Sequence, residues 1–412
     1  MEKSYNMNKL TLYILIVCLI AACSPKSSDF PFDVPAEHLE EREEIPSFWL
    51  ATTAEIEDYL KTKVHKGSAE LLGKSAGGRP IYAVTYGTQR QGTGTATYSG
   101  ASSVNKISAF RGEESDKKVY MVLSGVHGFE LEGIVGSMNL ISVLETGKDL
   151  SGASWPELAA LADSLDRIVI LPLCNPDGRD RVPVRMEKFR GHAPDAFHVH
   201  EYLNTGGREG GKLIGWPACK EWVPIPFDKF EFPGSYPNDN GYNLMHDDFF
   251  GNMQPENRII FGVASEEKPD IIMSMHTGVS RNDYFMEMLQ PSAAVYPPML
   301  FKVWRDFFTQ VHTALTLKGL KKTMDVEKET TPKPKKKSGC LNMTGALAFH
   351  CGALSVTVEA PSHGYAGVYD DGTPVRVSPE KSLIEQLTAH QAAMEFLSRK
   401  GGVAIWEKEY NH

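Results

Sequence analysis

The chain has 412 residues, of which 42% are hydrophobic and 23% are charged. This balance is ordinary for a globular protein, and the length suits one large α/β domain or two medium ones. The formal net charge of −9 argues against nucleic acid as a partner, because phosphate binding requires a basic face.

The first segment of the chain, residues 1–22, is predicted to be a signal peptide. Two lysines precede an apolar run from Leu10 to Ala22, which is shorter than a membrane-spanning helix and typical of a signal-peptide core. The small residues before Cys23 resemble the lipobox of bacterial lipoproteins. This resemblance implies cleavage before Cys23, a diacylglyceryl group on its thiol, and a location at the periplasmic face of a bacterial membrane. The alternative is an ordinary secretory signal in which Cys23 is incidental.

After the signal, residues 23–49 are expected to form a tether and an N-terminal segment, and residues 50–400 the main domain. Thr52 offers a cap and Glu55 an acidic first turn, which together predict a helix that ends near Lys63. Apolar runs and glycines in the rest of the first half predict a turn between two strands over 73–81, a strand over 119–123, helices over 133–144 and 156–164, and a strand over 167–173.

The second half is predicted to begin with a long irregular loop over residues 191–255, rich in Gly, Pro, Trp and Phe. Loops of this length inside a compact domain are usually functional. The pattern then predicts a strand over 269–275, a helix over 298–317, a solvated basic loop over 318–339, a strand over 354–358 and a helix over 379–399. Because strands alternate with helices, the predicted fold class is α/β, with a mostly parallel mixed sheet flanked by helices on both faces.

Polar side chains stand at the ends of four predicted strands. His127 and Glu130 follow the first of these strands, and Asn175, His276 and Glu359 follow the others. Ligands bind beyond the carboxyl ends of strands in such sheets, so we expect these residues to gather on one rim. His127 and Glu130 would meet if the segment after the strand is helical, because residues three apart share a helix face.

The chemistry of these residues suggests a metal site. His127, Glu130 and His276 make up the three protein ligands of a catalytic zinc of the His2Glu type, which leaves a fourth position for water. Zinc lowers the pKa of its water to about 7 and polarises a carbonyl. Glu359 is the natural general base for that water, and a positive side chain such as Arg185 or Arg190 could stabilise the developing oxyanion.

These motifs resemble those of the zinc carboxypeptidases related to carboxypeptidase A. The matching stretches are, in order, GKSAGGRPI, SGVHGFE, LPLCNPDGR, IIMSMHTG and SVTVEAP, and the resemblance covers roughly residues 50–400. It implies that His127, Glu130 and His276 bind one zinc ion and that Glu359 is the catalytic glutamate. It also favours Arg190 over Arg185, because Arg190 lies 15 residues after Asn175, as the family's carbonyl-polarising arginine does.

The resemblance implies a zinc-dependent peptidase that cleaves amide bonds in peptides. In the family, an Asn-Arg pair holds the terminal carboxylate of the substrate, but Met245 and His246 stand at those places here. The family's tyrosine before the catalytic glutamate is also missing, and Tyr365 follows Glu359 instead. One alternative is therefore a deacylase or amidase on the same scaffold, acting on N-acyl amino acids or cell-wall peptides. A catalytically silent protein that binds peptide or glycan is the other.

Two further interpretations stay open in the sequence. His192, His198 and His200 could form a second metal site, although a solvated loop is the preferred interpretation because no carboxylate lies in register. Glu132 could replace Glu130 as a ligand, but its spacing from His127 fits one helical face less well.

Overall fold

The computed structural model describes residue 32 and residues 34–187, 194–220, 224–278, 287–288, 298–320, 341–368 and 374–410. The predicted signal peptide over residues 1–22 and the predicted lipidation site Cys23 lie outside these residues. Among the described residues, no helix combines the length and the apolar composition needed to cross a membrane.

The strands are, in chain order, β1 (Ser68–Lys74), β2 (Pro80–Gly87), β3 (Val119–Ser124), β4 (Arg167–Leu171), β5 (Gly207–Arg208), β6 (Lys212–Leu213), β7 (Ile271–Thr277), β8 (Glu287–Met288), β9 (Leu354–Ala360), β10 (Ala366–Val368) and β11 (Pro374–Arg376). The helices are α1 (Ala36–Leu39), α2 (Thr53–Lys63), α3 (Tyr98–Ser103), α4 (Ser108–Arg111), α5 (Leu131–Thr146), α6 (Pro156–Leu161), α7 (Pro176–Asp180), α8 (Pro194–Thr205), α9 (Pro255–Glu267), α10 (Pro298–Leu317), α11 (Met343–Cys351), α12 (Pro379–Lys400) and α13 (Val403–Tyr410). Short 3₁₀ turns occur at Ala162–Ser164, Ala218–Lys220, Phe227–Lys229 and Leu244–His246.

A seven-stranded mixed sheet organises the fold, with the strand order β1-β2-β4-β3-β7-β9-β8. The four inner strands β4, β3, β7 and β9 run parallel, and the outer strands β1, β2 and β8 pair antiparallel with their neighbours. The parallel strands are joined by helical connections, as parallel pairing requires. The predicted α/β class with a mostly parallel mixed sheet is confirmed.

The sheet is covered on both faces. Successive side chains of a strand point to opposite faces, and in β3 Tyr120 and Val122 join one apolar cluster whereas Met121 and Leu123 join another. We call the face covered by α5, α10 and α12 the back face, and the face covered by α9 and α11 the front face. Burial on both faces explains why the inner strands are continuous apolar runs in the sequence.

The helix predicted to begin at the Thr52 cap and to end near Lys63 is confirmed as α2, together with its cap. The Thr52 hydroxyl accepts from the backbone N–H of Glu55, and the Glu55 carboxylate accepts from the backbone N–H of Thr52, which makes a capping box.

Other predicted bounds differ from the structure. The loop predicted over residues 191–255 contains helix α8 and the β5–β6 hairpin; the helix was missed because its sequence, rich in His and aromatic residues, lacks a clear apolar stripe. The expected domain bounds 50–400 stay a prediction, and buried tryptophans lie just outside both of them. Trp49 is fully buried before them, and Trp406 on α13 is fully buried after them.

Candidate metal centre

Three neighbouring parallel strands bring the predicted site residues to one rim of the sheet. His127 follows β3 in a turn, His276 is the next-to-last residue of β7, and Glu359 is the next-to-last residue of β9. His276 and Glu359 are direct partners in the parallel register of β7 and β9. Because Met275 and Val358 belong to the back-face core, the alternation of the strands places the side chains of His276 and Glu359 on the front face.

The turn after β3 is held by close contacts with neighbouring segments. A Cβ on Gly128 would lie 2.1 Å from the carbonyl carbon of Gly178, so only glycine permits this approach. The backbone N–H of Gly128 donates to the Ser235 carbonyl at 3.0 Å, and the Arg179 guanidinium donates to the Gly128 carbonyl at 3.0 Å. These contacts fix the position of His127 in the turn.

The expected reason for the meeting of His127 and Glu130 is wrong, although the two residues do meet. Helix α5 begins at Leu131 and Glu130 is its N-cap residue, so the two side chains do not share a helix face. They meet because the turn folds back, with the Glu130 backbone N–H 3.2 Å from the His127 carbonyl.

The side chains of His127, Glu130 and His276 form a buried cluster. His127 Nδ1 lies 2.7 Å from Glu130 Oε1, and His276 Nδ1 lies 2.7 Å from Glu130 Oε2. The three candidate ligand atoms lie within 4.8 Å of one another. Among the residues that the structure describes, no other group of three or more His, Cys, Asp or Glu side chains converges in this way.

The Nε2 atoms of both imidazoles, which do not face Glu130, contact polar side chains. His127 Nε2 lies 3.1 Å from Asn243 Oδ1, and His276 Nε2 lies 2.9 Å from Ser274 Oγ. The His127 ring also stacks on Tyr236, with ring centroids 3.8 Å apart. Such contacts fix the ring orientation and the tautomer of an imidazole that binds a metal through its other nitrogen.

Electrostatics keep the carboxylate of this cluster ionised. Burial alone would raise the pKa of Glu130, but the charges of His127 and His276 and their hydrogen bonds hold the pKa below its ordinary value. Burial lowers the pKa of His276, but the charge of Glu130, its hydrogen bond to His276 and the charge of Glu359 together outweigh burial and raise the pKa overall. Glu130 is thus in the charge state that binds a cation.

The donor set fits one zinc ion. Two imidazole nitrogens and one carboxylate oxygen are the His2Glu set of a catalytic zinc site, in which the fourth position is open to water or substrate. All three residues are buried, and the two imidazoles are oriented by Asn243 and Ser274. The cluster could therefore hold a single metal ion.

Glu359 lies beside this cluster and is partly exposed. Its charge contributes to the raised pKa of His276 and, after burial and the charges of Glu130 and Cys219, to that of Tyr236. Its Oε2 atom would lie 2.9 Å from a Cβ on Gly278, so the glycine leaves room for the carboxylate at the rim.

The other residues predicted for the site are two arginines and Asn175. Arg190 lies outside the described residues. Arg185 is buried and donates to the carbonyls of Glu37 and Glu40, so it fixes the N-terminal segment. Asn175 caps α7 and its amide donates to the carbonyls of Val126 and Tyr236, which gives it a structural part at the same rim.

Neither Glu132 nor, among the described histidines, His198 or His200 belongs to this cluster. Glu132 is buried and bonds to Thr277 and His363 rather than to the cluster. On α8, His200 contacts Phe129 with ring centroids 5.1 Å apart, whereas His192 lies outside the described residues.

The stretch where the carboxylate-binding pair would stand forms a 3₁₀ turn, Leu244–His246. Met245 is buried in the front-face core. Burial, together with the nearby charges of Lys220 and His127, lowers the pKa of His246 to about 4. The imidazole is therefore neutral near pH 7 and carries no charge for a carboxylate.

Sequence reasoning missed three residues that support the cluster: Asn243, Ser274 and Tyr236. Ser274 could have been found, because it precedes His276 by two residues on one strand and must share its face. Asn243 lies two residues before Met245, in the stretch where the resemblance places the pair that binds the substrate carboxylate. For Tyr236 the sequence offers no signal, because a loop places it.

Comparison with known proteins agrees with this picture. Residues 56–191 match the family model described as zinc carboxypeptidase, about a third of the chain, which includes His127 and Glu130 but neither His276 nor Glu359. The segment supports a metallopeptidase function, and the family it matches is zinc-dependent. The comparison with curated proteins finds no match.

Solved structures are similar at low identity. A protein of Shewanella denitrificans OS-217 assigned as a carboxypeptidase A is 15% identical, with a TM-score of 0.51 over 85% of this chain and 70% of that chain. A metallo-carboxypeptidase of Burkholderia cenocepacia is 16% identical, with a TM-score of 0.48 over 88% and 70%. Carboxypeptidase A of Helicoverpa armigera is 15% identical, with a TM-score of 0.46 over 88% and 78%. Of these three TM-scores, only the first exceeds 0.5. Because the sequence identity is 15%, this similarity supports the fold and not the function.

Proposed function

We propose that the protein is a zinc-dependent metallopeptidase that hydrolyses amide bonds in peptides. The observation that carries this proposal is the convergence of His127, Glu130 and His276 at the rim of the sheet, with Glu359 in register beside His276. The match of residues 56–191 to the zinc carboxypeptidase model supports the same class of reaction.

In this proposal the chain's own residues position the metal and move the proton. His127, Glu130 and His276 would hold the zinc ion, which when bound lowers the pKa of a water molecule and polarises a carbonyl. Glu359 accepts a proton from the attacking water and returns it to the leaving amine, as a general base and then a general acid. Arg190 is predicted to stabilise the oxyanion.

The direct test is the variant Glu359→Gln, which keeps the size of the side chain but cannot accept the proton. We expect normal zinc content and a loss of hydrolysis of at least about 100-fold, the usual contribution of a general base. A mixed peptide library, incubated with and without chelator and analysed by mass spectrometry, gives the products. Retained hydrolysis by Glu359→Gln would remove Glu359 from the mechanism.

A deacylase or amidase is the second candidate, and the neutral His246 is the observation that favours it. In this interpretation, N-acyl amino acids or cell-wall peptides are the substrates. Their hydrolysis without cleavage of peptides that have free C-termini would support it. If the zinc-loaded protein hydrolyses neither class, a protein that only binds its ligand becomes the better description.

Lys220 is a cation near His246 that could bind the terminal carboxylate of a peptide substrate. Lys220 lies near enough to His246 for its charge to lower the pKa of that imidazole. Its ammonium group sits 4.2 Å from the centre of the Trp216 ring, and among the described residues no carboxylate lies within ion-pairing distance of it. If Lys220 binds the substrate carboxylate, Lys220→Met should raise KM for free C-termini roughly tenfold. The exposed Lys212→Met is the control.

The location of the protein is a further part of this proposal. We expect a lipid on Cys23 to anchor the protein outside the cytoplasm, at the periplasmic face of a bacterial membrane. Radiolabelled palmitate should enter the wild-type protein but not Cys23→Ser, and the variant should leave the membrane fraction. Labelling of neither protein would mean that residues 1–22 are an ordinary secretory signal, and equal labelling of both would mean that the lipid is attached elsewhere.

A further inference from the structure

A second buried carboxylate stands two residues after the metal-ligand candidate Glu130. The side chain of Glu132 is 1% exposed. Its Oε2 accepts from the Thr277 hydroxyl at 2.6 Å. Its Oε1 accepts from the backbone N–H of His363 at 2.6 Å and lies 2.8 Å from His363 Nδ1. Three contacts from two other segments therefore end on this one carboxylate.

These contacts join helix α5 to strand β7 a second time. On the front face, Glu130 at the start of α5 contacts His276 at 2.7 Å. Thr277 is the next residue of the strand, so its side chain points to the back face, where it contacts Glu132. The start of the helix and the end of the strand are thus bonded on both sides of the sheet.

The backbones of these two elements also approach closely. A Cβ on Gly133 would lie 2.7 Å from the Cβ of Met275. The close approach of the two elements therefore leaves no room for a side chain at residue 133. The two carboxylate contacts therefore hold together elements that are already packed without a gap, and a shift of one element moves the other.

The third partner links the strand that carries Glu359. His363 follows Glu359 by four residues, in the segment after β9. It is 2% exposed, and its ring lies against Trp49 with centroids 4.7 Å apart. Glu132 consequently contacts segments that continue directly from His276 and from Glu359, and it belongs to the helix whose N-cap is Glu130.

We propose that Glu132 is a positioning residue for the metal centre. It holds the start of α5, the end of β7 and the segment after β9 in the relation that His276, Glu130 and Glu359 need to act on one substrate. Catalytic groups must be held within about 0.5 Å of their productive geometry by the residues behind them. This inference rests on the proposed function for its effect on hydrolysis, but its effect on metal binding stands by itself.

A purely structural part for Glu132 makes a different prediction, and the same helix offers a control. Glu145 lies near the other end of α5 and is also buried. Its carboxylate accepts from the backbone N–H groups of His65, Lys66 and Gly67 and from the Tyr86 hydroxyl. Glu145→Ala thus removes a comparable set of hydrogen bonds from α5, far along the helix from the metal ligands.

The experiment measures zinc affinity, kcat, KM and melting temperature for the wild type, Glu132→Ala, Glu132→Gln and Glu145→Ala. Zinc affinity comes from competition with a chromophoric chelator. For Glu132→Ala we expect zinc affinity and kcat to fall at least about tenfold, the usual cost of disturbing the groups behind metal ligands. For Glu145→Ala we expect a lower melting temperature, with zinc affinity and kcat within about twofold of the wild type.

Glu132→Gln keeps the packing and one acceptor oxygen, so it should fold if Glu132→Ala does not, and it should give a smaller loss in the same direction. Wild-type zinc affinity and kcat in the Glu132 variants would overturn the proposal. An equal loss in Glu145→Ala would overturn it too, because the effect would then be one of general stability.

If the wild type binds zinc at this site but hydrolyses no peptide, the proposed function fails. The zinc affinities of the variants still show whether Glu132 positions the metal ligands. If the wild type binds no zinc at this site, both proposals fail.

Discussion

A buried carboxylate lies at each end of strand β7, and the two carboxylates have different partners. At the amino end, Asp270 accepts from the Arg111 guanidinium at 2.6 Å and from the backbone N–H groups of Val119 and Val403. At the carboxyl end, Glu130 contacts the imidazoles of His127 and His276.

The difference lies in the source of positive charge. Asp270 is paired with a permanently charged and fully buried guanidinium, so the protein neutralises this carboxylate itself. Among the described residues, no lysine or arginine lies within ion-pairing distance of Glu130, and its two partners are histidines that can each lose a proton. Buried charges are paired or bind metals. The comparison therefore assigns a structural part to the carboxylate at the amino end, whereas the cluster at the carboxyl end could hold a metal cation.

The largest expected effect is on stability at the amino end. Asp270→Ala would leave Arg111 buried without its carboxylate and would free the backbone N–H groups of Val119 and Val403. Breaking a buried ion pair costs about 3–5 kcal/mol of the free energy of unfolding, which denaturant titration measures. Glu57→Ala, which removes a partly exposed carboxylate that pairs with the exposed Lys61, should cost about 1 kcal/mol or less. Equal losses in the two variants would contradict the structural assignment.

The next effect concerns zinc and should appear only at the carboxyl end. Zinc at about 100 times its dissociation constant should stabilise the wild type by about 2.7 kcal/mol, and chelator should remove that gain. Glu130→Gln keeps the shape of the side chain but loses its charge, so we expect little or no zinc-dependent stabilisation. Thermal unfolding with zinc and with chelator measures both. A wild-type zinc response in Glu130→Gln would show that the ion binds elsewhere.

The smallest effect compares His276 with His390, an imidazole that has no carboxylate partner among the described residues. His390 lies in the back-face core, 2.8 Å from the Tyr120 hydroxyl, and burial lowers its pKa to about 4. Its ordinary pKa is 6.5, so between pH 6.5 and 4 the unfolded chain binds the extra proton. The contribution to stability is complete above pH 6.5 and is lost as the pH falls toward 4.

Denaturant titration across this pH window, on the wild type and His390→Gln, measures the effect. The variant should lose less stability on acidification than the wild type. The raised pKa of His276 has the opposite sign, because its contribution in the metal-free protein is present below pH 6.5 and is lost as the pH rises through the folded pKa. Parallel pH curves for the wild type and His390→Gln would contradict the assignment of a neutral core imidazole.

Much of the fold was predictable because the inner strands leave a strong signal. Residues 119–123 of β3 form a continuous apolar run, because both faces of the sheet are covered, and the strand ends just before Gly125. Helix α10 was predicted with the bounds that the structure has, whereas α8 was missed because its aromatic residues and histidines do not form one apolar stripe. The rim position of His276 and Glu359 followed from the direction of parallel strands.

The contacts behind the metal ligands could not be predicted in the same way. Tyr236 stacks on His127 across more than a hundred residues of sequence, and no periodic pattern encodes such a contact. Glu132 was considered from its spacing as a possible ligand. Its actual partners, Thr277 and His363, depend on how α5 packs against the back face, and a single sequence does not show that packing.

Metal analysis of the purified protein tests the central claim most directly. The wild type, incubated with zinc and freed of excess ions, should contain one zinc ion per chain, and His276→Ala should contain none while keeping its circular dichroism spectrum. Asp270→Asn, at the other end of the same strand, should keep its zinc ion if the variant folds. Equal zinc content in the wild type and His276→Ala would contradict the account, because the ion would then not be held at the carboxyl end of β7.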